Sequence, residues 1–357
     1  MKVLYLYTEV MGYNIPIFEC LVKHYGASVH VVHWDQNKNT PYAPSVSVSG
    51  IEFHPRSQFT PQSLRDFVMK LGPDIVYTSG WQDKGYRPAL QALKLAGVPI
   101  VMGLDSQWAN TLRQRVGAQL IKHLYKKRYF THAWVPGPLQ FECAARLGFR
   151  HDEIISNLLT GNTAIFHPAA SALSLEKEQA YPKQFLYVGR LTESKGLDRL
   201  LEAFKTYQTQ YAGDWGLTCV GNGPFEARLQ GHAGIQVQPF ADQASLALLA
   251  RLSGALVLPS RYEPWGVVVH EFAAAGLPLL LSNKVGARHQ FLIDGLNGYV
   301  VNVDSSNDLA LKMHQLASQP KDRLLAMGQA SYQLSVSFSP EITTASLMSA
   351  LARPDRA

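Results

Sequence analysis

Cysteine is scarce in this chain: 3 among 357 residues, at Cys20, Cys143 and Cys219. They are isolated, odd in number and without metal spacing, which fits a reducing cytoplasm. No apolar run reaches the roughly 20 residues of a membrane-spanning helix. The opening MKVLYLYTEV has too short an apolar run for a signal peptide and meets Glu9 early, so it reads as a first strand. Low-complexity tracts and short-period repeats are missing. Asp-x-Asp occurs nowhere, which removes the usual carboxylate clamp for a metal–diphosphate. His30, His33 and His54 have no ligand spacing along the chain and are expected as core or surface histidines. Basic residues lack interleaved aromatics and no recognition motif appears, which argues against nucleic acid.

What remains is an ordinary globular composition, 46% hydrophobic and 17% charged, in a length comfortable for two domains. Strand and helix patterns alternate. KVLYLYT, SVHVVHW, DIVYTSG, VPIVMGL and HAWVPG read as strands. Helices are expected around Ile17 to Tyr25 and over Pro61 to Leu71, residues 88–97, Thr111 to Phe130 and Leu139 to Leu147. Such alternation implies a parallel, doubly wound sheet. The series restarts at Phe185 after a polar stretch around Ala170 to Lys183, which with the turn Gly161-Asn162 reads as the connection. The expected division is 1–168, 169–340, and a last helical segment, 341–357, packing back on the first domain.

The most informative window is residues 256–282, LVLPSRYEPWGVVVHEFAAAGLPLLLSN without its final Asn. Ala255 to Leu258 reads as a buried strand ended by Pro259-Ser260. Gly266 opens a helix that closes at Gly276, with Pro278 just beyond. Glu263 then lies in the loop before the helix and Glu271, eight positions on, lies within it. The N–H groups of Gly266 and Val267 are orphan donors at a helix N-terminus, a ready anion site. A phosphate flanked by two carboxylates able to bind hydroxyls suits a sugar nucleotide.

This window resembles the signature of retaining GT-B glycosyltransferases of family 4, the glycosyl transferases group 1. Three further blocks stand in the family's order: FLYVGRLTESKGLDRLLEAF at 185–204, CVGNGPFEARL at 219–229 and VGARHQFLIDGLNGYVV at 285–301. The resemblance is clear over 185–301 and thin over the first 180 residues. It implies an α/β GT-B fold, two Rossmann-like doubly wound domains facing a cleft, with the donor held by the second. It gives Arg190 and Lys195 the diphosphate charge, Glu263 the transferred sugar and Glu271 the ribose hydroxyls. Gly266 and Val267 would meet phosphate, and Val237 to Phe240, including Pro239 and Phe240, would line the base pocket. Gly221 and Gly223 are expected to shape a turn rather than touch substrate.

In the first half, GLDSQW ends a strand and aims Asp105 at the cleft, where many family members carry a His that contacts the sugar near the reacting carbon; the resemblance gives Asp105 that catalytic place, unless the alignment is shifted. By the resemblance the loop 9–14 faces the donor phosphates and the acceptor; it lacks the family's doubled glycine, of which Gly12 is the remnant and the nucleotide-sugar candidate, while Glu9 and Tyr13 are its acceptor-contact candidates. Net charge is +6, and Arg113, Arg115, Lys122, Lys126, Lys127 and Arg128 crowd one helix with Leu112, Val116, Leu120 and Leu124 on its apolar side. Such a helix suits peripheral contact with anionic lipid on the inner membrane face, although a solvated basic face over a core stripe is the commoner case. The expected function is retaining, metal-independent transfer of a hexose-type sugar from a nucleoside diphosphate to a hydroxyl of a glycan, lipid-linked or lipopolysaccharide-type acceptor, with no cofactor. A sugar-nucleotide epimerase and a non-catalytic sugar-nucleotide-binding protein are the alternatives.

Overall fold

A computed structural model describes residues 1–35, 49–167 and 177–352. The chain divides into two compact units, one of 1–160 with 340–357 and one of 161–339. Each is a parallel sheet covered by helices.

In the first unit the strands are β1 (Lys2–Leu6), β2 (Ser28–His33), β3 (Ile51–Pro55), β4 (Ile75–Thr78), β5 (Ile100–Gly103), β6 (His132–Trp134) and β7 (Ile154–Ile155), in the order β3-β2-β1-β4-β5-β6-β7. The central strands are near-continuous apolar runs because both faces are covered. One face carries Leu4, Leu6, Val76 and Ile100 against Leu64, Val68, Leu90 and Leu93; the other carries Val3, Tyr5, Val29 and Ile75 against Phe18 and Leu21. β3 and β7 escape a reading by apolar runs, since one is IEFHP and the other two residues long.

The second unit has β8 (Gln184–Val188), β9 (Gly216–Val220), β10 (Ile235–Gln238), β11 (Ala255–Leu258), β12 (Leu279–Ser282) and β13 (Gly298–Val301), in the order β10-β9-β8-β11-β12-β13. The chain builds outward from β8 in one direction, then returns to β8's other side with β11. That reversal makes a topological switch point between β8 and β11, the place where open α/β sheets bind ligands at the carboxyl ends of strands. Two Rossmann-like parallel-sheet units in one chain make the fold GT-B.

The first boundary lies earlier than residue 168. The Gly161 N–H donates to His270 Nδ1 at 2.9 Å and Phe166 packs edge-on against Phe272, so 161–167 belongs to the second unit. Residues 170–176 of the expected connection lie outside the described residues. The helix Pro340–Met348 returns to the first unit: Leu347 and Ala350 join its core with Phe18, and Ser346 Oγ accepts from Asn157 Nδ2 at 3.1 Å.

The helix expected over Thr111 to Phe130 is helical from Leu112 to Tyr129, with a π-helical stretch at Ile121–Tyr125. Thr111 caps it by accepting from the Gln114 N–H. Its core contacts come from Ala118, Ile121 and Tyr129, not from the expected apolar stripe. Leu112, Val116, Leu120 and Leu124 are exposed, by 77%, 64%, 47% and 58%. The core-stripe arrangement is therefore corrected: Ala118, Ile121 and Tyr129 occupy the face opposite the leucines, and that is the face the core covers.

Candidate active site

β8 delivers Gly189-Arg190-Leu191 and a short turn, Glu193–Lys195, before the helix Leu197–Gln210. Gly196 closes that turn at φ +74°, and a Cβ there would lie 2.1 Å from the Pro259 carbonyl oxygen. Only glycine lets the loop after β8 approach the end of β11 so closely. The approach carries Lys195 across the switch point, where its Nζ is 2.5 Å from Glu263 Oε2. Both side chains are largely buried, 14% and 13% exposed. Ser260 Oγ lies 3.4 Å from the same carboxylate oxygen. Two residues 68 positions apart in sequence thus form one charge pair at the mouth of the sheet.

The loop 259–266 is fixed by its neighbours. Ser282 Oγ donates to the Ser260 carbonyl, and the N–H groups of Gly286 and Ala287 donate to the carbonyls of Glu263 and Trp265. The Trp265 ring is buried against Phe291 and Phe338. Gly266, at φ +95°, then starts the helix Val267–Ala274. The Gly266 and Val267 N–H groups find no backbone acceptor among the described residues, as expected of a helix start that can receive an anion.

Glu271 is on the second turn of that helix and is 6% exposed. It does not join the Lys195–Glu263 pair. Its Oε1 accepts from Gln243 Nε2 at 2.7 Å, and Gln243 Oε1 accepts in turn from Asn162 Nδ2 at 3.3 Å. Gly161 admits the side chain, for a Cβ there would meet Glu271 Cγ at 2.7 Å. Beside it, His270 accepts from Gly161 at Nδ1 and turns Nε2 to the Ser335 carbonyl at 3.1 Å, stacked on Phe291. Burial holds His270 down at about 4, so this ring is a neutral strut.

Burial pushes the Glu271 carboxyl up to about 7, and the Gln243 hydrogen bond partly opposes it. The folded pKa exceeds the ordinary 4.5, so the native state holds a proton that the unfolded chain has lost between about pH 4.5 and 7. This group's contribution to stability is full below pH 4.5 and is lost as pH rises through about 7. The upper limit is on the order of 3 kcal/mol. Urea unfolding at pH 5 and pH 8 should therefore show a smaller loss of stability with pH in Glu271→Gln than in wild type. Equal losses in the two proteins would contradict a carboxyl buried in this way.

Arg190 is exposed just beyond β8, where its carbonyl accepts from the buried Tyr187 hydroxyl at 2.8 Å. Gly221 and Gly223, after β9, let that turn cross the 189–191 backbone: added Cβ atoms would lie 2.1 Å from the Gly189 oxygen and 2.4 Å from the Leu191 oxygen. Asn222 Oδ1 accepts from the Phe240 N–H at 3.2 Å, which fixes the exposed Pro239-Phe240 corner after β10. Arg190, Lys195, Pro239, Phe240, Glu263, Gly266 and Val267 all follow the carboxyl ends of strands in this one sheet, and Glu271 stands on the helix after β11.

In the first unit a cavity of about 360 Å³ opens at the ends of β1, β4 and β5, again beside the reversal of strand order, here between β1 and β4. Tyr7, Glu9, Tyr13, Tyr77, Gln82 and Asp105 line it. Glu9, Tyr13 and Asp105 were sequence candidates and meet there; Gly12 does not line the cavity, although its neighbours Met11 and Tyr13 do. Burial, opposed by the Asn14 hydrogen bond and reinforced by the Asp105 charge, raises the Tyr7 hydroxyl above its ordinary range. Sequence reasoning missed Tyr7, Tyr77, Gln82, Gln243 and Asn162. The tyrosines read as strand residues, and the other three stand in no motif.

Residues 175–334 match the family described as Glycosyl transferases group 1. A glycogen synthase of Mycobacterium tuberculosis is 27% identical over 63% of this chain, and the match spans 56% of that relative's length. A D-rhamnosyltransferase of Pseudomonas aeruginosa is 34% identical over 38% of this chain and 36% of its own. Among solved structures, Anabaena Alr3699/HepE in complex with UDP superposes with a TM-score of 0.74 at 14% identity, over 99% of this chain and 100% of that one. The fold is thereby shared, and the family match supports a group 1 glycosyltransferase.

Proposed function

We propose that the chain is a retaining glycosyltransferase that moves a hexose-type sugar from a nucleoside diphosphate to a hydroxyl acceptor. The observation that carries this is the Lys195–Glu263 pair at the switch point, beside an open helix start and a buried, hydrogen-bonded Glu271. A phosphate, a sugar and a ribose need those three chemistries. The family match over 175–334 and the sugar transfer named for the relatives support the reading.

In this reading Arg190, Lys195 and the Gly266 and Val267 N–H groups take the diphosphate, and Glu271, oriented by Gln243, takes the ribose hydroxyls. Glu263 binds the sugar, and Phe240 with Pro239 flanks the base. In the cavity of the first unit Glu9 and Tyr13 take the acceptor, Asp105 acts on the sugar near the reacting carbon, and the loop at Gly12 meets the donor phosphates. The acceptor oxygen bonds to the anomeric carbon on the face from which the diphosphate leaves. The bond to the diphosphate oxygen breaks, and that oxygen takes the acceptor proton. Cations and N–H groups meet the leaving charge, so with no Asp-x-Asp in the chain no metal is required.

A thermal-shift screen of UDP-, GDP- and ADP-sugars tests donor binding. One class should raise the midpoint more than its nucleoside monophosphate does, as ligand binding to the native state requires. No shift with any of them would overturn the reading. An epimerase would instead return an isomerised sugar nucleotide, and a binding protein would return the donor intact.

A lipid-linked or lipopolysaccharide-type acceptor is favoured by the exposed leucines of the helix spanning Arg113 to Arg128. No helix among the described residues is long and apolar enough to cross a membrane. Lys126 is engaged by Glu153, Arg128 by Gln91 and Arg115 by Asn110, and the Lys122 stem lies against Gly148, which leaves the exposed Arg113 and Lys127 for lipid headgroups. At about 1 kcal/mol per cation, this helix should hold the protein on anionic vesicles in low salt and release it in high salt. Leu112→Ser with Val116→Ser should reduce cosedimentation. Wild-type protein that stays in the supernatant would remove the membrane contact and point to a soluble saccharide or small-molecule acceptor.

A further inference from the structure

Strand β3 is the edge of the first unit's sheet, and in its register with β2 His30 stands opposite Glu52 and Val32 opposite His54. Strand pleating puts Glu52 and His54, two apart, on one face with His30. Three atoms converge there. His30 Nδ1 is 3.4 Å from Glu52 Oε2, His54 Nε2 is 3.7 Å from the same oxygen, and the two ring nitrogens are 3.4 Å apart.

All three separations are longer than a good hydrogen bond, which falls at about 2.7–3.2 Å. Bonds of about 2.0–2.2 Å around a zinc-sized ion give tetrahedral edges of about 3.3–3.6 Å; the two 3.4 Å separations fall in that range and the 3.7 Å one lies just beyond it. The surroundings suit a metal site. His30 is buried, and its other nitrogen, Nε2, lies 3.0 Å from Ser28 Oγ, a hydroxyl able to accept from Nε2–H in the tautomer that turns the Nδ1 lone pair to the cluster. The His54 ring packs edge-on against Phe67 and Phe59. Glu52 is 61% exposed, which gives an ion a path in.

We propose that His30, Glu52 and His54 bind one zinc-type divalent cation, with water in the fourth position, and that the ion fastens edge strand β3 to β2. This site stands apart from the donor chemistry and does not rest on the transferase reading. A second cluster, Cys20, His24 and Glu341, likewise brings one ligand atom of each residue within 4.8 Å of the others; Cys20→Ser removes a ligand from it and serves as the control.

Full-length protein, stripped with chelator and desalted, is titrated with zinc against a chromophoric chelator. Wild type and Cys20→Ser should each take up one equivalent with equal affinity. Glu52→Gln and His54→Gln should lose at least tenfold. Zinc should raise the thermal midpoint of wild type and leave both variants unmoved, while unchanged midpoints without metal show that the variants fold. No stoichiometric uptake by wild type, or affinity kept in both variants, or affinity lost in Cys20→Ser, would each overturn the proposal.

Discussion

Lys195→Ala should lower kcat/KM for the sugar nucleotide by roughly 30- to 1,000-fold, the scale of about 2–4 kcal/mol of lost charge stabilisation. Arg190→Ala should fall in the same range. The two variants differ in a useful way. Arg190 is exposed, so its removal leaves no partner stranded. Lys195 holds Glu263, so its removal leaves a largely buried carboxylate without its cation. Lys195→Met with Glu263→Gln separates the effects. Stability should recover in the double variant and turnover should not. Wild-type turnover in both single variants would remove the cations from the proposed chemistry.

The second large effect divides the carboxylates. Glu263→Gln should act mainly on kcat, because a group touching the transferred sugar meets charge that develops during transfer. Glu271→Gln should act mainly on donor KM, because ribose hydroxyls are bound alike before and during reaction. Gln243→Ala should resemble Glu271→Gln more weakly, since it removes the amide that aims Glu271. Steady-state kinetics with a fixed acceptor reads all three. If Glu263→Gln raises KM alone and Glu271→Gln lowers kcat alone, the two roles are exchanged.

The strand before Pro259, the helix after Gly266 and the loop between them were legible because their signals are local: an apolar run, a helix stop, a glycine. The parallel, doubly wound sheets followed from alternation, and their pairing as GT-B from the family resemblance. What sequence could not show is what the sheet brings together. Nothing near Lys195 announces Glu263, and the contact exists because Gly196 can press on Pro259. Gln243 and Asn162 belong to no motif and matter only because Gly161 admits Glu271 beside them. His30 has no ligand neighbour along the chain, yet strand register sets Glu52 opposite it. The exposed leucines of the basic helix failed for a related reason. Periodicity identifies a stripe, while tertiary packing decides which face is buried, here the one carrying Ala118, Ile121 and Tyr129.

The most direct test is to incubate the purified protein with the sugar nucleotide that gives the largest thermal shift and to quantify nucleoside diphosphate and sugar products. Wild type should release nucleoside diphosphate slowly with water as acceptor and faster with a hydroxyl acceptor. The product should keep the donor's anomeric configuration, and Lys195→Ala should abolish most of the release. Intact donor, an isomerised sugar nucleotide, or a product of inverted configuration would contradict the account.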